Sequence, residues 1–297
     1  MPELPEVESV KVNLEKCILD QTIEKVEVHH RGLRWPISSN FEEMLKGQKV
    51  KKLVRRAKYL LLYFEKADFI LLWHLGMSGR VQIIAPEELN PRQAHDHVEI
   101  TFFSGLTLRF RDPRRFGAML LVPLEELSSF SLLSSLGIEP LDKDFSATFL
   151  LRLFKNRSLS LKAALLNQKI IAGLGNIYAC EALHRAKLSP LRLAETITHQ
   201  EAEFLVKTIQ DILKKAIAAG GSTLKDHRQP DGKKELFKTL LWYIIVKGKS
   251  VCNVMTWKLS EFFNLIVQHF TVENVKNEIN FMSNLFHLYY IFFMCNK

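Results

Sequence analysis

The hydrophobic period of this chain changes once, and the change limits what it can fold into. Ile23-Glu24-Lys25-Val26-Glu27-Val28 alternates with period two, and short strand-like runs follow at residues 51–54, 59–64, 69–74, 80–84, 97–103, 107–111 and 118–122. Short strands spaced regularly with turns between them predict a β-sandwich or barrel. From Ser146 onward the period becomes 3.6, with helical runs at residues 149–154, 161–166, 176–186 and 199–218, punctuated by Gly173-Leu174-Gly175, Pro190 and Gly220-Gly221. One helix precedes the strands and runs to about Cys17, holding Val7, Val10, Val12 and Leu14 against a core. The expected class is α+β: a leading helix and β-sandwich over residues 1–132, a helical domain over 145–233, and an atypical tail over 234–297. The groove between the two domains is the expected ligand site.

A chain of 297 residues is long enough for two domains with real cores. Hydrophobic residues at 47% and charged residues at 25% exclude a disordered or fibrous protein. A net charge of +9 calls for a polyanionic partner; nucleic acid is the commonest and a membrane surface is the rival. The first twenty residues are acidic and amphipathic rather than a basic start followed by an apolar run, so the expected location is the cytoplasm. Cys17, Cys180, Cys252 and Cys295 lack paired spacing, which points to free thiols rather than disulfides or a zinc site. The apolar run at 281–294 is shorter than the roughly 20 residues of a membrane span and reads as a sticky helix or strand.

The chain opens Met1-Pro2-Glu3-Leu4-Pro5-Glu6-Val7-Glu8. Removal of Met1 exposes a secondary amine beside a carboxyl. An α-amino group titrates at roughly 7.7–8.0, far below a lysine, so much of it is neutral and nucleophilic near pH 7. The adduct of a secondary amine with an aldehyde is an iminium that cannot shed its charge by losing a proton, and it favours eliminations next to the carbon it holds. Pro5, Glu6 and Glu8 equally suit an ordinary helix start. Pro2 and Glu3 lie ahead of that start, which has no need of them, and are available for chemistry.

Four further stretches join the opening one: Arg55-Arg56-Ala57-Lys58-Tyr59-Leu60-Leu61, His74-Leu75-Gly76-Met77-Ser78-Gly79, Asp112-Pro113-Arg114-Arg115-Phe116-Gly117 and Gly173-Leu174-Gly175-Asn176-Ile177-Tyr178-Ala179. Five such stretches in this order and spacing resemble formamidopyrimidine-DNA glycosylase, the bacterial enzyme family that removes oxidised purines, and the resemblance runs from residue 1 to about Lys233. It implies a base-excision-repair glycosylase acting on 8-oxoguanine and formamidopyrimidines in duplex DNA. It also implies an abasic-site lyase that performs β,δ-elimination through a Pro2 Schiff base. The enzyme would work as a monomer, with no cofactor needed for the chemistry and no membrane partner.

Residue by residue, the resemblance makes Pro2 the amine that attacks C1′ and Glu3 the acid that protonates the sugar or its leaving group, the work of a carboxyl within reach of the same carbon. Lys58 matches a lysine that contacts the lesion region and assists elimination; taken alone it reads as a solvated strand lysine. His74, otherwise a strand-end residue, becomes a phosphate contact. Met77, Arg115 and Phe116 match the side chains that fill the space left by the extruded base, recovering part of an unstacking cost of a few kcal/mol. Arg114 would hold phosphate while Arg115 approaches the unpaired base opposite. Taken alone, Asp112-Pro113 reads as a β-turn, which leaves a phenylalanine beside two arginines unexplained. His95 matches a DNA contact, and a zinc reading of His95 and His97 lacks further ligands at usable spacing.

Gly173-Leu174-Gly175 precedes a helix whose free N–H groups suit a phosphate. The resemblance places it in a helix-two-turn-helix element with Asn176 as phosphate donor and Arg157 and Lys162 as further basic contacts. Gly220-Gly221-Ser222-Thr223 resembles the loop that closes over the extruded base, making Ser222 and Thr223 site candidates, although His227-Arg228 stand where the family often has apolar residues.

The tail departs from the pattern. The family ends in a zinc finger with two Cys-x-x-Cys pairs and a phosphate-clamping arginine, whereas here Met255 stands where Cys252 would need its partner, and no arginine follows Arg228. Lysine replaces the charge but not the planar fork. Residues 235–297 therefore read as a divergent or disrupted segment. Two alternatives to a working enzyme follow: a damaged-DNA-binding remnant with impaired catalysis, and an interaction protein whose apolar tail recruits a partner.

Overall fold

The structure is a computed structural model and describes residues 2–221. Ser222, Thr223 and the whole of the tail lie outside the described residues. The chain begins with helix α1 (Leu4–Ile18), followed by β1 (Ile23–Val28) and a one-turn helix α2 (Phe41–Leu45). Seven strands come next: β2 (Val50–Arg56), β3 (Tyr59–Phe64), β4 (Phe69–His74), β5 (Arg80–Ile84), β6 (Asp96–Phe102), β7 (Thr107–Arg111) and β8 (Ala118–Pro123). The helices α3 (Ser131–Ser134), α4 (Ala147–Phe154), α5 (Leu161–Leu166), α6 (Asn176–Arg185) and α7 (His199–Ala218) complete the described chain.

The strands form two antiparallel four-stranded sheets, ordered β1-β6-β7-β5 and β2-β3-β4-β8. Their inner faces share one core, in which Val26, Val98, Ile100, Phe102 and Phe110 of the first sheet meet Leu53, Leu60, Leu62, Leu71 and Trp73 of the second. Strand β4 is apolar from Phe69 to Trp73 because its outer face is buried as well: Ile70 and Leu72, with Leu61 and Val122, are covered by Leu127, Phe130 and Leu133. A strand covered on both faces loses its alternation. The expected β-sandwich followed by a helical region is the architecture observed, with α2 and α3 as additions.

A second core fills the helical region, where Leu150, Phe154, Leu161, Leu165, Ile171, Leu183, Leu205, Ile209 and Leu213 pack together. Helix α1 takes part in both cores. Leu4 is buried in the helical core, whereas Val7, Leu14 and Ile18 are buried in the sandwich. The helix therefore carries the chain's first residues to where sandwich and helices meet.

Candidate active site

Glu3 precedes α1, so the start of that helix does use it: its backbone N–H donates to the Glu6 carboxylate at 2.8 Å. Its own carboxyl is directed at a different helix. Oε1 accepts from the Ile177 N–H at 2.9 Å and Oε2 from the Tyr178 N–H at 3.4 Å, in the first turn of α6. The anion held by this helix start is thus the chain's own carboxylate, which takes the N–H groups that the sequence offers to a phosphate. The glycines ahead of α6 serve that approach. A Cβ on Gly175 would overlap the Glu3 carboxyl, and one on Gly173, where φ is +83°, would lie 2.9 Å from the Leu4 side chain. The Leu4 N–H donates to the Gly173 carbonyl at 3.1 Å, fixing the chain's start to this loop.

Glu3 is only 2% exposed. Burial pushes its carboxyl up from 4.5 to about 7, opposed by the Ile177 N–H and the Lys58 ammonium, with the neighbouring Glu6 adding to the rise. Glu6 is buried too and accepts from the Tyr178 hydroxyl at 2.6 Å. Tyr178 thereby meets Glu3 through its backbone and Glu6 through its side chain. Neither Glu6 nor Tyr178 stands out in the sequence, because the contact links residues more than 170 positions apart.

Lys58 occupies the two-residue turn between β2 and β3, where Arg56 pairs with Tyr59. It is buried rather than solvated, and burial pulls its ammonium below the ordinary lysine value while Glu3 and Glu6 oppose the fall. The turn is clamped from outside. Ala57 holds a left-handed φ of +53° and its N–H donates to Glu139 at 2.6 Å; the same carboxylate accepts from Arg55 at 2.7 Å and Arg56 at 3.0 Å. At the end of β4, across from Tyr59, His74 Nδ1 accepts from the Gly76 N–H at 3.1 Å, which leaves Nε2 to carry the proton. Burial, then Lys58 and Arg34, push the His74 imidazole down to about 4, so at neutral pH it is an uncharged N–H donor.

Met77 and Phe116 are exposed at 41% and 42%, and their two loops form one unit. The Ser78 hydroxyl donates to Asp112 Oδ1 at 2.5 Å and accepts from the Arg114 N–H at 3.2 Å. Asp112 is fully buried, and its Oδ2 accepts from the Gly117 N–H at 2.7 Å, closing the loop on itself. A Cβ on Gly76, where φ is +68°, would overlap the Phe116 carbonyl carbon, so the loops touch backbone to backbone. Arg114 stacks on the Phe116 ring at 4.7 Å. Asp112 and Ser78 escape a reading of the sequence because an Asp-Pro pair signals only a turn. The structure thus brings Met77, Arg114, Arg115 and Phe116 together, and places Glu3 with Lys58.

His95 is exposed, with a left-handed φ of +71°, just before β6. Arg157 is exposed after α4; Lys162 is half-buried at the start of α5; Asn176 is exposed as the first residue of α6. Pro2 is buried beside Glu3 in sequence. Arg34, not singled out from the sequence, is exposed and acts electrostatically on both Tyr59 and His74, adding a cation beside Lys58. No group among the described residues could hold a metal ion, and none of their helices is long and apolar enough to cross a membrane.

Comparison with known proteins agrees with this layout. The model of the formamidopyrimidine-DNA glycosylase N-terminal domain matches residues 1–119, and that of the formamidopyrimidine-DNA glycosylase H2TH domain matches residues 136–228. The chain is 47% identical over 254 residues to the formamidopyrimidine-DNA glycosylase of Azorhizobium caulinodans, covering 80% of this chain and 86% of that protein. Among solved structures, MutM (Fpg) of Thermus thermophilus superposes with a TM-score of 0.69 at 38% identity, covering 80% of this chain and 85% of that one. Lactococcus lactis Fpg in complex with DNA containing N7-benzyl-Fapy-dG gives 0.72 at 32% identity, covering 81% and 87%. With two family models in register along the sandwich and the helical region, this chain belongs to the formamidopyrimidine-DNA glycosylase family.

Proposed function

We propose that the chain is a DNA glycosylase for oxidised purines such as 8-oxoguanine and formamidopyrimidines in duplex DNA, and that it also cleaves the abasic site by β,δ-elimination. The observation that carries this reading is a buried carboxyl next to Pro2 whose proton is held to about pH 7. Once Met1 is removed, the neutral Pro2 amine adds to C1′ of the damaged nucleotide. Glu3 supplies the proton that the opening sugar or the departing base requires, which is general acid work at a suitable pKa. The resulting iminium withdraws electrons from C2′; loss of a C2′ proton expels the 3′ phosphate, and loss of a C4′ proton from the conjugated iminium that remains expels the 5′ phosphate. In this reading Lys58, its ammonium weakened by burial, assists that proton loss.

In this reading the neutral His74 and the cations Arg34, Arg114, Arg157 and Lys162, with Asn176, meet the DNA backbone, and His95 adds a contact. Met77, Arg115 and Phe116 fill the space left by the extruded base. The chemistry takes no cofactor, and the enzyme acts as a monomer. Ser222 and Thr223 would close over the base.

A second reading rests on the tail sequence, which lacks both the paired cysteines and any arginine: a protein that binds damaged DNA but turns it over poorly. One experiment separates the two. Full-length protein is incubated with a duplex carrying 8-oxoguanine opposite cytosine, and borohydride is added. A covalent adduct with strand nicking is expected, and acetylation of the N-terminus should prevent it. Salt-sensitive binding without an adduct would favour the second reading, and an adduct that survives blocking of the amine would refute Pro2 as nucleophile.

A further inference from the structure

Met77 and Phe116 belong to two turns that are each closed on themselves and then joined through one hydroxyl. In the first turn the Gly79 N–H donates to the Leu75 carbonyl at 2.9 Å, and a Cβ on Gly79 would overlap that carbonyl, so the turn has no room for a side chain there. In the second, Asp112 holds both sides: its carbonyl accepts from the Arg115 N–H at 3.1 Å and its Oδ2 from the Gly117 N–H at 2.7 Å. Ser78 is the crossing point. Its hydroxyl donates to Asp112 Oδ1 at 2.5 Å and accepts from the Arg114 N–H at 3.2 Å, so a residue of the Met77 turn makes two of the contacts that shape the Phe116 turn. The bond to Asp112 is charge-assisted and its acceptor is fully buried, which makes it one of the stronger kind. The Arg114 guanidinium, stacked on the Phe116 ring at 4.7 Å, travels with the same turn.

We propose that Ser78 is a positioning residue that makes Met77 and Phe116 enter the duplex as one wedge. The inference rests on the reading of these two side chains as fillers of the space left by the extruded base. Opening a base step is costly, and an apolar side chain recovers part of that cost only while it stays in the gap. One side chain entering alone fills part of the space, and the stack closes on it. Two side chains held in a fixed relation recover the cost together, and neither has to be ordered against the other during insertion. The exposed pair on turns joined by Ser78 is set in this relation before DNA arrives.

The test is a double-mutant cycle on the full chain, read as single-turnover incision of 8-oxoguanine opposite cytosine, with a fluorescent 2-aminopurine beside the lesion reporting the opening step. Met77→Ala and Phe116→Ala should each slow opening about 10-fold, the scale of one lost stacking contact. Because either change disables the shared wedge, the double variant should be slowed little further, where independent side chains would give about 100-fold. In a Ser78→Ala background the two losses should multiply. Ser78→Thr, which keeps the hydroxyl, should keep the coupling; Ser78→Cys, a weaker donor of similar size, should reduce it and serves if Ser78→Ala does not fold. A hydroxyl with only a structural role would lower the melting temperature and leave the coupling unchanged. Losses that multiply in the wild type, or coupling that survives removal of the hydroxyl, overturn the proposal while leaving the glycosylase reading intact. Failure of the wild type to incise or to form a borohydride adduct sinks the glycosylase reading, and this proposal with it.

Discussion

Replacing Glu3 with glutamine should make the protein inactive and more stable, by an amount that depends on pH in a calculable way. The carboxyl is pushed from 4.5 to about 7 in the folded state. Below pH 4.5 it is protonated both folded and unfolded, and burial carries no charge penalty. As pH rises the unfolded chain loses the proton first, so stability falls until pH passes about 7, above which the loss is constant. That rise, at about 1.4 kcal/mol per pH unit, gives a full penalty on the order of 3 kcal/mol. Between pH 5 and pH 8 the change amounts to about 2–3 kcal/mol. Glutamine has no charge to bury. Its amide makes poorer contact with the two α6 N–H groups, but that deficit is the same at every pH and cancels in the comparison. Thermal melts of both proteins at the two pH values should therefore show the Tm difference, variant minus wild type, growing by about 5–10 °C from pH 5 to pH 8. A difference that does not change with pH would refute the buried-acid reasoning, whatever its sign.

Gly175→Ala should displace the Glu3 carboxyl it would overlap, lowering incision by about 100-fold while binding to a duplex with a tetrahydrofuran site persists; single-turnover kinetics and fluorescence anisotropy check the two halves. Gly76→Ala combines an unfavourable left-handed φ with a clash against the Phe116 backbone and should cost about 2 kcal/mol or more in urea unfolding. Arg157→Ala, at an exposed cation with no enzymatic task, should weaken binding to every duplex alike and reduce the slope of log affinity against log salt by about one. A sequence-dependent loss would count against a phosphate contact.

Much of the fold is legible because its signals are local. The mix of β-branched and charged residues in Ile23–Val28 and the apolar run of β4 mark strands, while the 3.6 period of His199–Ala218 marks a helix. Helix α2 escapes because one turn of five residues is too short to establish a period. The site is less legible because its decisive contacts are not local. The Gly-x-Gly loop reads as a phosphate cradle until Glu3 is seen to occupy the helix start. Asp112 reads as a turn charge, yet it is buried and joins the Met77 loop to that of Arg115 and Phe116.

The acidity of Glu3 belongs to neither half of the protein alone. An exposed glutamate after Pro2 would titrate near 4.3 and be ionised at neutral pH, with no proton to give. Burial without compensation would hold the proton so tightly that it was never released. Here the buried Glu3 carboxyl meets two N–H groups of α6 and the field of Lys58, which lower the cost of the carboxylate left after proton transfer. The glycine at 175 allows the helix close enough to do this, and Leu4 in the helical core holds the chain's start in place. The same helix begins with Asn176, which is exposed. If Asn176 meets a phosphate as proposed, the helix it seats is the one whose N–H groups hold Glu3, and the readiness of the proposed proton donor would then depend on how DNA engages the helical region.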